Sequence, residues 1–318
     1  MCHDAINSFN KKHGHWLSAI CRLYCNSNLI LHHGKKVLNM SLCYFEGEFH
    51  SIQDCRLPIT DLIVQRGVGV FDSIRSYSRH AFAMPQHLDR LHSSAVSAGM
   101  NCDNIIALMP DIIRAGFLRT NTPNNRDLLA RAFITGGDTN TNGKFPNPRF
   151  FVIFEEGPQS DPAVYEKGLA LYPTTVERPF PLVKSTNYLF GYMPSSGVEN
   201  VFECLYCPND EITETVRGNF FLYVDGKIIT APVGRVLSGV TRNIVVDVAL
   251  KAGYTVEERC PKVSELARAT EAMLTSSWNE VAPVVRIGDT VIGTGKPGPV
   301  ASDLLNLFRE ALPAYLDA

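Results

Sequence analysis

From residue 40 onward the apolar positions recur at two spacings, one of strands and one of helices. Tyr44-Phe45-Glu46-Gly47-Glu48-Phe49 predicts two short strands around a glycine turn. After Gly67-Val68-Gly69, a strand pattern sets Val70, Asp72, Ile74 and Ser76 against Phe71, Ser73, Arg75 and Tyr77, so it is only partly amphipathic. Residues 85–98 carry Leu88, Leu91 and Ala95 on one face at helical spacing. Asp103 predicts the start of a further helix running to about Arg114, with Gly116 as its stop. Residues 128–135 and 150–154 are β-rich apolar runs that predict central strands.

The turn-rich run Gly157-Pro158-Gln159-Ser160-Asp161-Pro162 predicts a linker. It divides a small N-terminal domain, 40–157, from a larger C-terminal one, 158–318. The second part predicts strands at 169–173, 219–224 and 272–275 and a glycine turn at Asp225-Gly226. It also predicts helices at about 242–251, near 264–268 and at about 300–311. Helices and strands alternate in both halves, so the fold class is α+β, with two mixed α/β domains. No internal repeat or long low-complexity tract is present.

Composition narrows this picture only a little. A chain of 318 residues that is 45% hydrophobic and 19% charged is an ordinary globular mixture able to bury a large core. Its formal net charge of −2 supplies no basic field for nucleic acid or anionic membrane. No apolar run reaches the roughly 20 residues that span a bilayer. Nine scattered cysteines, an odd count without a secretory signal, point to reduced thiols and a cytoplasmic location. Cys204 and Cys207 form one CxxC, but no second pair or spaced histidines stand near it. The expectation is two half-buried thiols on a strand and no metal.

Residues 1–39 differ from the rest, with five of the nine histidines, four lysines, one arginine and a single acid, Asp4. This leader reads either as a targeting segment or, by preference, as sequence upstream of a start at Met40.

Candidate chemistry lies in separate short segments. Lys184 follows Val183 and precedes Ser185-Thr186-Asn187-Tyr188. Thr213-Glu214 puts one acid ahead of a predicted strand. Leu237-Ser238-Gly239-Val240-Thr241-Arg242 is a glycine turn entering a helix. A helix start offers free backbone N–H groups and a positive dipole end, which suit a phosphate. Thr275-Ser276-Ser277 is a second hydroxyl-rich turn. Taken singly, each is also an ordinary cap or turn.

In order and spacing, however, these segments resemble the class IV aminotransferases, the pyridoxal-5′-phosphate (PLP) enzymes of fold type IV. Gly67-Val68-Gly69-Val70-Phe71-Asp72-Ser73-Ile74-Arg75 is similar to the family's GxxVFExxR segment, and His87-Leu88-Asp89-Arg90-Leu91 to its H-[LIM]-x-R-L helix. The Lys184, Thr213-Glu214 and Gly239-Val240-Thr241-Arg242 segments and Gly295-Lys296-Pro297-Gly298-Pro299-Val300 follow in the family's order. The likeness runs from about Leu42 to Leu312.

The resemblance implies a cofactor at the interface of the two domains. It implies that Lys184 joins PLP as a Schiff base and then moves a proton, and that Glu214 faces the pyridine nitrogen. Arg90, the Val240 and Thr241 amides, the Thr241 hydroxyl and Ser277 would hold the phosphate, and Tyr188 the phenolic oxygen. It further implies amino acid and 2-oxo acid substrates and a homodimer.

The chain also departs from the family. Arg217 stands where relatives carry small residues, and is expected to reach the phosphate or a substrate carboxylate. Trp278 and Glu280 are bulky for a loop beside a phosphate and are expected to reshape the pocket. Leu128-Leu129-Ala130-Arg131 resembles the branched-chain enzymes' Y-x-R strand. Arg131 and Arg66 are therefore candidate carboxylate binders, and buried ion pairs are the alternative. The favoured reading is transamination of a branched-chain-like amino acid. A D-amino acid aminotransferase, an aminodeoxychorismate lyase releasing pyruvate and 4-aminobenzoate, and a non-catalytic binding module remain open.

Overall fold

The computed structural model describes residues 41–123, 126–158 and 161–317. The leader therefore lies outside the described residues. The first sheet has six strands: β1 (Leu42–Phe45), β2 (Glu48–Ser51), β3 (Gly69–Tyr77), β4 (His80–Ala81), β5 (Leu128–Thr135) and β6 (Arg149–Glu156), in the order β2-β1-β6-β5-β3-β4. All of its pairs are antiparallel. Helices α1 (Leu62–Arg66), α2 (Met84–Ser97) and α3 (Asp103–Arg119) belong to the same stretch of chain. Asp61 caps α1 by accepting from the Ile63 N–H, and Gly67 ends it at φ 67°, a left-handed conformation that suits a residue without Cβ.

The mixed character of the β3 pattern has a structural cause. Val70 and Ile74 join Leu88, Leu91, Ile113 and Phe117 in the core between sheet and helices. Asp72 and Ser76 share that buried side because each has partners there. Asp72 takes His87 and Arg90, and the Ser76 hydroxyl accepts from the Leu128 N–H. Phe71 and Arg75 lie on the opposite side of β3.

The expectation at Gly116 is corrected. Helix α3 runs through it to Arg119, and Gly116 is a contact point rather than a stop. A Cβ there would lie 2.1 Å from Cζ of Phe154, itself wedged against Phe49 and Phe117.

Between the last strand of the first sheet and the first strand of the second lies the short helix α4 (Pro162–Lys167). The second sheet is mixed, with eight strands: β7 (Leu169–Thr174), β8 (Glu203–Tyr206), β9 (Asn219–Val224), β10 (Lys227–Thr230), β11 (Thr255–Glu258), β12 (Glu271–Ser276), β13 (Glu280–Ile287) and β14 (Thr290–Val291). Their order is β11-β10-β9-β12-β13-β7-β8, with β14 on β13. Both faces are covered. Phe220 and Leu222 of β9 enter one core with Leu266 and Leu274, while Phe221 enters another with Ile244, Leu304 and Phe308. Two-sided burial explains why this strand reads as a continuous apolar run. The second core is supplied by α6 (Val240–Lys251) and α7 (Pro299–Ala311); α5 (Leu189–Tyr192) is a single turn after Lys184. Cys204 and Cys207 are fully rather than half buried.

Gly116→Ala is expected to destabilise the protein by about 1–3 kcal/mol through overpacking, against a helix-propensity gain of about 1 kcal/mol. Urea unfolding measures it, and a rise in midpoint would contradict the packing argument.

Candidate active site

Lys184 lies in an irregular segment clamped to the first sheet. Its carbonyl accepts from the Phe71 N–H at 3.0 Å, its own N–H donates to the Ser94 hydroxyl at 3.1 Å, and Thr186 N–H donates to the Gly69 carbonyl at 2.9 Å. The side chain is buried, with Nζ 5.0 Å from the centre of the Phe71 ring. It makes no hydrogen bond or ion pair among the described residues. Burial lowers its pKa, and Arg90 and Arg178 act in the same direction. Asp72 and Glu214 oppose them but do not prevail, so the amine titrates at about 7.

Lys184 lines a cavity with about 390 Å³ of empty space, part of it open to solvent. Arg90, Glu214, Arg217, Val240, Thr241 and Ser277 share its wall with Lys184, so the structure brings together seven of the ten residues singled out in the sequence. Tyr188 lines an adjoining cavity that shares Arg178 and Val216 with the first; its ring packs against Phe71 at 5.6 Å. Arg131 and Arg66 line neither cavity. Arg131 pairs with Glu155 on the neighbouring strand at 2.9 Å, the ion-pair alternative, and Arg66 is exposed at the end of α1, donating to the Gln65 carbonyl.

Glu214 is held from two sides. Arg178 Nη1 donates to Oε1 at 3.0 Å and the Leu237 N–H to Oε2 at 3.2 Å. Burial raises its pKa, while Arg178 and the Leu237 amide counter that rise by stabilising the carboxylate. Arg90 is fixed with equal care. Its Nε and Nη2 each donate to the Asp72 carboxylate at 2.8 Å, and Nη1 crosses to the Ser238 carbonyl at 3.0 Å. For Asp72, burial alone would raise the pKa, but Arg90 and His87 outweigh it and hold the carboxyl well below its ordinary range.

Opposite Arg90, Gly239 starts α6 without a side-chain cap, leaving the first N–H groups of the helix toward the cavity. A Cβ at Gly239 would lie 1.9 Å from Asn219 Oδ1, so a side chain there would have to displace the Asn219 amide. The Thr241 and Thr275 hydroxyls are buried without a protein partner, and both residues line the cavity. An unpartnered buried hydroxyl is costly unless a ligand supplies the bond.

Three features escaped the sequence reading. Arg178 lies in a proline-flanked stretch with no period to flag it. Thr275 read as the end of a strand. The Asp72–Arg90 pair had a visible signal, an acid on the apolar side of a strand. Trp278 and Glu280, expected to shape the pocket, line neither cavity.

Comparison with known proteins decides the family. The model of amino-transferase class IV matches residues 69–287, more than half of the chain. The chain belongs to the class IV aminotransferases. It is 27% identical to a D-alanine aminotransferase of Listeria innocua over 81% of its own length and 92% of the relative's. It is 29% identical to the branched-chain-amino-acid aminotransferase-like protein 1 of Arabidopsis thaliana over 80% of its length, and spans only 48% of that relative. Among solved structures, the branched-chain amino acid aminotransferase of Escherichia coli superposes with a TM-score of 0.75 at 22% identity, over 87% of this chain and 98% of that one. A putative branched-chain amino acid aminotransferase of Thermotoga maritima gives 0.73 at 23% identity, over 86% and 96%. These likenesses bear out the fold. Class IV aminotransferases are PLP enzymes, and the cavity fits that group. It offers a phosphate two unpartnered hydroxyls, a helix start and Arg90, and it puts an amine and a carboxylate on the same wall.

Proposed function

We propose that this chain transfers an amino group between a branched-chain-like L-amino acid and a 2-oxo acid, with Lys184 as the covalent anchor of PLP. The observation that carries the reading is the buried amine of Lys184, titrating near 7, on one wall with Glu214 and the unpartnered Thr241 hydroxyl. PLP, when bound, supplies the electron sink that stabilises negative charge at the substrate α-carbon.

The protein's own residues supply the rest. Lys184, neutral near pH 7, takes and returns a proton at the substrate α-carbon. Glu214, held in place by Arg178 and the Leu237 amide, would face the pyridine nitrogen and hold its proton. Arg90, the Val240 and Thr241 amides, the Thr241 hydroxyl and Ser277 hold the phosphate; Thr275 adds a hydroxyl. Tyr188 serves the phenolic oxygen from the adjoining cavity. That cavity has an aromatic and aliphatic wall in Phe190, Tyr206 and Val216, which suits an apolar substrate side chain.

Arg217 is the substrate-carboxylate group of this reading. Glu203 holds its Nε at 2.7 Å and Phe202 lies beneath it, while its terminal nitrogens have no hydrogen-bond partner among the described residues. Arg131 and Arg66 retain a substrate role in this reading only if substrate or a second subunit draws them to the cavity. The two sheets are taken as the two domains, 40–157 and 158–318, with PLP between them. Phe180, Leu182, Leu189, Phe190, Tyr192 and Met193 are large, exposed apolar side chains around the Lys184 segment, which supports a homodimer covering that patch. The described cysteines are free thiols and no described helix is long and apolar enough to cross a membrane; the thiols support a cytoplasmic enzyme.

Borohydride reduction of the PLP-loaded protein is expected to leave a pyridoxyl adduct on Lys184, and none in Lys184→Ala. In apo-protein the rate of PLP capture should rise with pH through about 7, because the ammonium form below that pH is not a nucleophile. A cofactor-saturated wild type without the adduct would end the reading. Arg217→Gln is expected to raise KM for both amino acid and 2-oxo acid about tenfold or more, from loss of a charge-assisted bond, at unchanged PLP affinity. Unaltered KM values would remove Arg217 from the site. Light scattering is expected to show a dimer that Phe190→Asp with Met193→Asp weakens; a wild-type monomer would refute it.

A further inference from the structure

The turn between β12 and β13 carries Ser276 and Ser277 into the cavity wall, yet the next three residues face away from it. Trp278 reaches back to the end of β6, where a Cβ on Gly157 would lie 1.7 Å from its ring, and Arg75 stacks over that ring at 4.6 Å. Arg75 stands on β3 of the first sheet. Its Nη1 donates to the Trp278 carbonyl at 2.9 Å and to Glu280 Oε1 at 3.1 Å, while Nε and Nη2 donate to Asp127 at 3.1 and 2.7 Å. Glu280, 3% exposed, also accepts from the Tyr77 hydroxyl at 2.9 Å and, through Oε2, from Arg309 Nε of α7 at 2.7 Å. The Asn279 carbonyl takes the Tyr165 hydroxyl at 3.1 Å, and its N–H donates to the Ser276 hydroxyl at 3.0 Å.

A second observation concerns the backbone. Glu280 has φ 50°, the left-handed region that costs a residue with a side chain and that glycine adopts freely. A glutamate survives there because its carboxylate is held by three donors from β3 and α7. A turn fixed only for its own sake would be better served by glycine.

We propose that Glu280 and Arg75 are positioning residues that lock the 276–279 turn of the second sheet to the first sheet, and so set where Ser277 meets the cofactor phosphate. The inference rests on the PLP reading above. Arg90, on α2, approaches the same cavity from the first sheet, so a phosphate site built from both sheets needs their spacing held. This cluster, with Arg75 and Glu280 buried at its centre and Asp127 and Arg309 at its rim, supplies that hold through charge-assisted bonds.

The test compares wild type, Glu280→Gln and Glu280→Gly by PLP titration of apo-protein and by amide hydrogen exchange of the 276–279 turn. Glu280→Gly relieves the backbone cost while removing the carboxylate, so it separates the two effects and guards against a variant that fails to fold. Both variants are expected to lose protection in the turn and to bind PLP about tenfold more weakly or worse, as expected for a group held by buried charged bonds. Unchanged turn protection, or lost protection with PLP affinity within about twofold of wild type, would overturn the positioning role, since a twofold change is only about 0.4 kcal/mol. A wild type that never forms the Lys184 adduct overturns the cofactor reading, and this inference with it. A wild type that loads PLP beside variants that load it equally well overturns the inference alone.

Discussion

A charged side chain leaves water at a cost that only a partner can offset. Around the cavity four arginines each bring one: Arg90 with Asp72, Arg178 with Glu214, Arg217 with Glu203, and Arg242 with Glu258. Lys184 is the exception. No carboxylate touches it among the described residues, burial penalises its charged form, and Arg90 and Arg178 add positive potential. Its amine therefore gives up its proton near neutral pH. Burial, reinforced by Arg90 and Arg178, is what makes this lysine chemically different from a surface lysine.

The same pairs determine who can move. Arg90 is tied to Asp72 of β3 and to Ser238 in the turn before α6, so one side chain spans both sheets. Arg178 and the Leu237 amide take one oxygen each of Glu214, which couples the acid to that same turn. Gly239 lets the turn close on Asn219, whose Nδ2 donates to the Leu237 carbonyl. These bonds tie together the elements that line the cavity. Among the described residues, the groups left for a ligand include the Thr241 and Thr275 hydroxyls and the outer nitrogens of Arg217.

The adjoining cavity is bounded by Tyr188, Phe190 and Gly191, in and beside a one-turn helix whose outer face exposes Leu189 and Tyr192. The chain's relatives include both branched-chain-amino-acid aminotransferase-like and D-alanine aminotransferases, so family membership alone does not set the substrate.

By itself the sequence determined what is local. Helical spacing marked α2, a start at Asp103 marked α3, a partial alternation marked β3, and apolar runs marked β5, β6 and β9, because burial leaves its pattern in the chain. Lys184, Glu214, Arg90 and Thr241 were legible because each sits in a short segment of characteristic order. Only the tertiary structure decided which distant groups meet: Arg178 with Glu214, Arg75 with Glu280 across more than two hundred residues, and Arg131 with Glu155 rather than with the cavity. It also turned Gly116 from a helix stop into a contact with Phe154, and sent Trp278 away from the pocket. The physical reason is the same in each case. Periodicity records whether a residue is buried, while the identity of its partner depends on the path of the chain between them.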